Sequence, residues 1–137
     1  METKTAPFML IFRDARPETY DAMSAEQRRQ LLANWNAWYD GLAQQGKAVG
    51  GNPLEPAGRV VSGDRGERLV DGPFAEAKEA IAGYFLLNVS DLEEATAIAQ
   101  RCPNLRHGMT VEVRPVAGAC HLAKSLGQTS MHASSHA

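Results

Sequence analysis

Two helix starts, each set behind a short apolar run, constrain what this chain can fold into. Phe8-Met9-Leu10-Ile11-Phe12 is continuously apolar and ends at Arg13-Asp14. Five residues are too few for a helix and suit a buried strand. Ser24-Ala25-Glu26-Gln27 then sets a serine three residues before an amide, the pattern of a capping box. Beyond it Leu31, Trp35, Trp38 and Leu42 recur at helical spacing. Leu32 and Tyr39 widen the stripe, and Gly46 supplies a stop. This spacing predicts a helix over 25–45, with 16–23 as a connection. The arrangement then recurs. Gly83-Tyr84-Phe85-Leu86-Leu87-Asn88-Val89 reads as a strand, and Ser90-Asp91-Leu92-Glu93 as a second capping box. Leu92, Ala95, Ile98 and Cys102 space out a helical face that Pro103 ends.

The segments between and after these units are shorter. Gly50-Gly51-Asn52-Pro53 reads as punctuation. Arg59-Val60-Val61-Ser62 and Glu67-Arg68-Leu69-Val70 flank Gly63-Asp64-Arg65-Gly66, a hairpin signal. Thr110-Val111-Glu112-Val113-Arg114 alternates, placing Val111 and Val113 on one face and Glu112 and Arg114 on the other. The expected order is strand, helix, hairpin, strand, helix, strand, an α+β arrangement. Two helices between strands of one sheet cover a single sheet face. The other face is also apolar, and no third strong helix is available to cover it. A second copy of the chain is the expected cover, so the chain is expected to pair with itself as a homodimer. Residues 118–137 show little periodicity and read as a tail, mobile over 128–137.

Composition narrows the function classes. At 137 residues the chain suits one domain, and its net charge of −2 gives no footprint for wrapping a phosphate backbone. No direct nucleic-acid partner is expected. No apolar run approaches the length of a membrane helix, and residues 1–7 lack the features of a secretory signal, so a cytoplasmic protein without a membrane partner is expected. Cys102 and Cys120 form no CxxC pair and read as reduced thiols. No nucleophile elbow and no phosphate-cradling glycine loop is present.

Residues 71–79, Asp71-Gly72-Pro73-Phe74-Ala75-Glu76-Ala77-Lys78-Glu79, resemble the signature of the DGPF-motif branch of the YCII-related family. Gly83-Tyr84 and Val111-Glu112-Val113-Arg114-Pro115-Val116 resemble its flanks. Trp35-Asn36-Ala37-Trp38, Gly51-Asn52-Pro53-Leu54 and Val60-Val61-Ser62-Gly63 resemble a common variant. The likeness spans residues 8–116. It implies a ferredoxin-like sandwich with an antiparallel sheet, pairing into a dimeric α+β barrel with a cleft between sheet and helices. The domain is then 8–117, between an arm at 1–7 and the tail at 118–137. The resemblance implies no reaction. A His–Asp pair proposed for the wider family falls here on Trp35 and Gln44, neither of which moves protons at neutral pH.

Candidate site residues follow. Asp71 is either a cleft carboxylate, acting as a base or holding a polar ligand, or a turn residue accepting backbone N–H groups. Phe74 anchors the loop. Glu76 could share a metal with Glu79, but no third ligand is in place, so neither metal nor cofactor is expected. Lys78 neutralises a nearby acid. Trp35 and Trp38 pack in the core or line the ligand cleft that the resemblance places beside their helix. Glu112 and Arg114 read as an ion pair, and Arg13 could receive an anion. His107 is the one histidine inside the expected fold and so the candidate for proton transfer near neutral pH. The reading that follows is small-molecule binding in a cleft near the motif, with turnover left open. The alternatives are a regulatory protein-interaction module linked to transcription, suggested by the family's sigma-factor gene neighbourhood, and a structural dimer without activity.

Overall fold

A computed structural model describes residues 4–13, 17–72 and 81–128. The first apolar run forms β1 (Ala6–Arg13), in which burial alternates along the strand. Phe8, Leu10 and Phe12 point one way into the core, as a period of two requires. A short helix, α1 (Pro17–Asp21), follows where a plain connection was expected. Proline stands at its first position, where no N–H is needed. Five residues are too few to show a helical period in sequence.

The long helix α2 (Ala25–Gln44) forms as the spacing predicts. Ser24 and Gln27 make both halves of the capping box. At the other end the Gly46 N–H bonds to the Ala43 carbonyl and the Lys47 N–H to the Leu42 carbonyl. This is a Schellman closure, which needs the left-handed φ of +73° that Gly46 adopts.

The largest departure comes next. Residues expected as punctuation form β2 (Ala48–Pro53). It pairs antiparallel with β5 (Ile81–Val89), which in turn pairs with β1, and β1 pairs with β6 (Thr110–Pro115). The strand order β2-β5-β1-β6 is that of a ferredoxin-like α+β fold. Glycine is required in β2 by close approach. A Cβ at Gly51 would lie 2.7 Å from both the Phe85 ring and the Tyr84 carbonyl oxygen. The hairpin, β3 (Arg59–Ser62) and β4 (Arg68–Asp71), forms as expected but is a separate two-stranded sheet, exposed throughout. It is an insertion between β2 and β5 and no part of the main sheet.

Helix α3 (Leu92–Ala99) buries Ala95, Ile98 and Ala99 over β1, β5 and β6. Its cap is Asp91, not Ser90, and Leu92 is exposed. Moving the start by one residue lets the Asp91 carboxylate accept the Glu94 N–H, while Glu94 accepts from the Ser90 N–H and hydroxyl. Lys47 adds an ion pair to Glu94 at 3.0 Å, joining the entry of β2 to α3. Beyond β6, α4 (His121–Ser125) gives the expected tail an ordered element with Ala123 buried. The expectation of mobility over 128–137 falls almost wholly outside the described residues. No described helix is long and apolar enough to cross a membrane.

Two outcomes are expected. Gly51→Ala should destabilise by about 1–3 kcal/mol in urea titrations, because the Phe85 ring and the sheet must give way together. Glu94 is held at about 2 against an ordinary 4.5, first by the Ser90 N–H, then by Lys47 and the Ser90 hydroxyl. Its folded value lies below its unfolded one. Its contribution is therefore complete above about pH 4.5 and lost as pH falls toward about 2. Glu94→Gln should flatten the acid limb of stability against pH in that window; an unaltered limb would contradict this.

Candidate functional site

Helix α2 crosses the sheet with an aromatic face toward it. Leu32, Trp35, Asn36 and Tyr39 sit at i, i+3, i+4 and i+7, so one side of the helix presents all four. Beneath them Phe12 at the end of β1 and Phe85 in β5 meet edge to face, with centroids 4.9 Å apart. Trp35 stands 5.2 Å from Phe12, and Tyr39 4.9 Å from Phe85. Where α2 and the sheet diverge, these rings line a cavity of about 450 Å³. Gly51, Asn52, Pro53, Ala82 and Gly83 form its sheet side, Met109 closes part of its floor, and Tyr20, Asn36 and Asp40 bring polar groups. The missing side chain at Gly51 makes room for the Phe85 ring.

One buried amide holds this wall in place. Asn104 is 3% exposed. Its Oδ1 accepts the Trp35 indole N–H at 2.9 Å, and its Nδ2 donates to the Tyr20 hydroxyl at 2.8 Å. Its backbone carbonyl accepts from the His107 and Met109 N–H groups. A single residue thereby ties α1, α2 and the turn before β6 together, and a buried amide is stable only when its groups are so satisfied. The partners lie 69 and 84 residues away, so no local pattern marks it.

The sequence candidates separate into several places. Trp35 lines the cavity, and Trp38 packs against it with centroids 5.4 Å apart. Trp38 also faces a second hollow, a groove of about 790 Å³ between α2 and the segment after α3, which His107, Arg101 and Arg106 line. His107 and the aromatic cavity are thus not one site. Asp71 lines neither hollow. It ends the exposed hairpin, with 72% of its side chain accessible, and pairs with Arg59 at 2.6 Å. Asp71 is the last residue of β4, and the motif residues that follow Gly72 lie outside the described residues. Arg13, Glu112 and Arg114 meet on the sheet face away from the helices. Glu112 bridges the two arginines, at 2.6 Å from Arg13. Arg13 meets Glu112 through Nη2, while its Nε is buried without a hydrogen-bond partner among the described residues. Phe74, Glu76 and Lys78 lie outside the described residues.

The thiols differ in setting. Burial pushes the Cys102 thiol up, and the Ala123 and Leu122 N–H groups pull that of Cys120 down. Both are free. Among the described residues no three His, Cys, Asp or Glu side chains are grouped to hold a metal ion.

Sequence reasoning missed Tyr20, Asn36, Asp40, Asn52 and Asn104. The helical face through Leu32 and Tyr39 was a usable signal for Asn36. Nothing local pointed to the others.

Residues 8–117 match the YCII-related domain. An uncharacterized protein of Rhizobium meliloti (strain 1021) is 36% identical over 100 residues, covering 70% of this chain and 81% of that protein.

Asn104→Ala should leave the Trp35 N–H unsatisfied and cost about 1–3 kcal/mol by chemical denaturation. A loss below about 0.5 kcal/mol, the low end for a typical hydrogen bond, would show that the amide does not hold the wall.

Proposed function

We propose that this chain, which belongs to the YCII-related domain family, binds a small organic molecule in the aromatic cavity between α2 and the sheet. The observation that carries this reading is the cavity itself. It is of ligand size, its walls are aromatic, and a few polar groups converge on it, the usual composition of a small-molecule site. The motif at 71–79 supports the same place, since β5 begins directly after it and its Ala82 and Gly83 line the cavity. Asp71 is not among the described residues that line the cavity, and residues 73–79 of the motif lie outside the described residues.

The open sheet face favours self-association alongside this role. Met9, Ile11, Tyr84 and Leu86 present half-buried apolar surface on that face, flanked by the Arg13–Glu112–Arg114 cluster. A second copy would remove this surface from water.

Native mass spectrometry of freshly purified protein tests both parts. The expected spectrum is a dimer carrying an added small-molecule mass that Asn36→Trp, which fills the cavity mouth from an exposed position, removes. If the wild-type chain carries no added mass and a panel of planar aromatic compounds leaves its tryptophan fluorescence unchanged, the binding reading falls. A monomer mass would end the pairing reading.

A further inference from the structure

The charge and ring arrangement of the cavity point to one class of ligand. Among the described residues that line it, Asp40 is the only charged one, and it forms no ion pair with any described lysine or arginine. Among the described lining residues no lysine or arginine stands ready to receive an acid. Trp35 offers no donor either, because its N–H is already given to Asn104. What Trp35 can present to a ligand is its ring. Tyr39 and Phe85 add two more rings beside it, at 4.9 Å from each other. Aromatic faces carry negative charge density and attract cations, most strongly from tryptophan. An exposed carboxylate at the rim adds a favourable field of the same sign.

Resting on the binding reading above, we infer that the cavity selects an organic cation, an alkylammonium or quaternary ammonium group, with its charge between Asp40 and the rings of Trp35, Tyr39 and Phe85. A neutral molecule of the same shape gains only the burial, and an anion meets the carboxylate and ring faces. Selection therefore comes from charge at constant shape.

Three probes of one shape separate these cases: benzyltrimethylammonium, the uncharged neopentylbenzene, and phenylmethanesulfonate. Each is titrated into the full chain, with affinity read by calorimetry and, for the cation, the N-methyl proton shift read by NMR. The cation is expected to bind about tenfold or more tightly than the neutral probe, a gap of about 1.4 kcal/mol. Its methyl resonance should move upfield under the rings. Asp40→Asn should weaken the cation about tenfold and leave the neutral probe unchanged, while Asp40→Glu restores binding. Asp40 is exposed on α2, so the fold should tolerate both variants, which equal melting temperatures would confirm. Equal affinity for cation and neutral probe, or tighter binding of the sulfonate, overturns the inference and leaves the cavity a binding site of another class. Binding by none of the three also overturns it, and whether the cavity is a site at all is then read separately from the co-purified mass and its loss in Asn36→Trp.

Discussion

Alternation along β1 is the constraint on which the rest of the molecule depends. Phe8, Leu10 and Phe12 point into the core while Met9, Ile11 and Arg13 point the other way. The strand is hydrogen-bonded on both sides, to β5 and to β6. A shift of one residue in either pairing would turn its aromatic residues to the open face. Leu10, wholly buried, and Leu87 and Val89 of β5 then fix where α3 settles. At the far end of β1, Phe12 extends the same face beneath α2.

That last position links the fold to the cavity. Phe12 and Phe85 stand in register-determined places on neighbouring strands, and α2 brings Trp35, Trp38 and Tyr39 against them. Packed rings at these angles do not fill space evenly, and a void remains between them and the β2 backbone at Gly51, Asn52 and Pro53. Asn104 fixes the tryptophan on its other side. The cavity is thus a product of the same aromatic packing that stabilises the core. Its polar groups are few because the wall is built from core residues. Asp40, the one charged side chain among the described lining residues, lies on the exposed side of α2.

Much of the fold was legible in the sequence. Both long helices announced themselves by spacing and by their caps, and β1, β5 and β6 by length and alternation. The hairpin was legible as a hairpin, since its turn and flanking runs are local. Its place was not, because nothing in Val60, Val61, Leu69 or Val70 says that they stay exposed. The second sheet strand was misread because Gly50 and Gly51 are breakers in isolation. The Phe85 ring and the Tyr84 carbonyl oxygen, both close over Gly51, make glycine the residue that fits there. Trp35 and Trp38 were legible as candidates. Asp71 was singled out by its motif, and the structure places it on an exposed ribbon in an ion pair with Arg59.

What the sequence by itself determined are features carried by neighbours along the chain: helix phases, caps, strand alternation and the aromatic stripe of α2. These need only interactions within a few residues, so their signals are local. Tertiary structure decided which strand edges meet, where the hairpin sits, and which polar side chains face the cavity. Asn104 acquires its role from partners 69 and 84 residues away. The role proposed for Asp40 depends on the Phe85 ring, 45 residues away on β5, and on the absence of a cation among the described lining residues. Such roles depend on distances set only when the sheet closes, and no spacing in the chain encodes them.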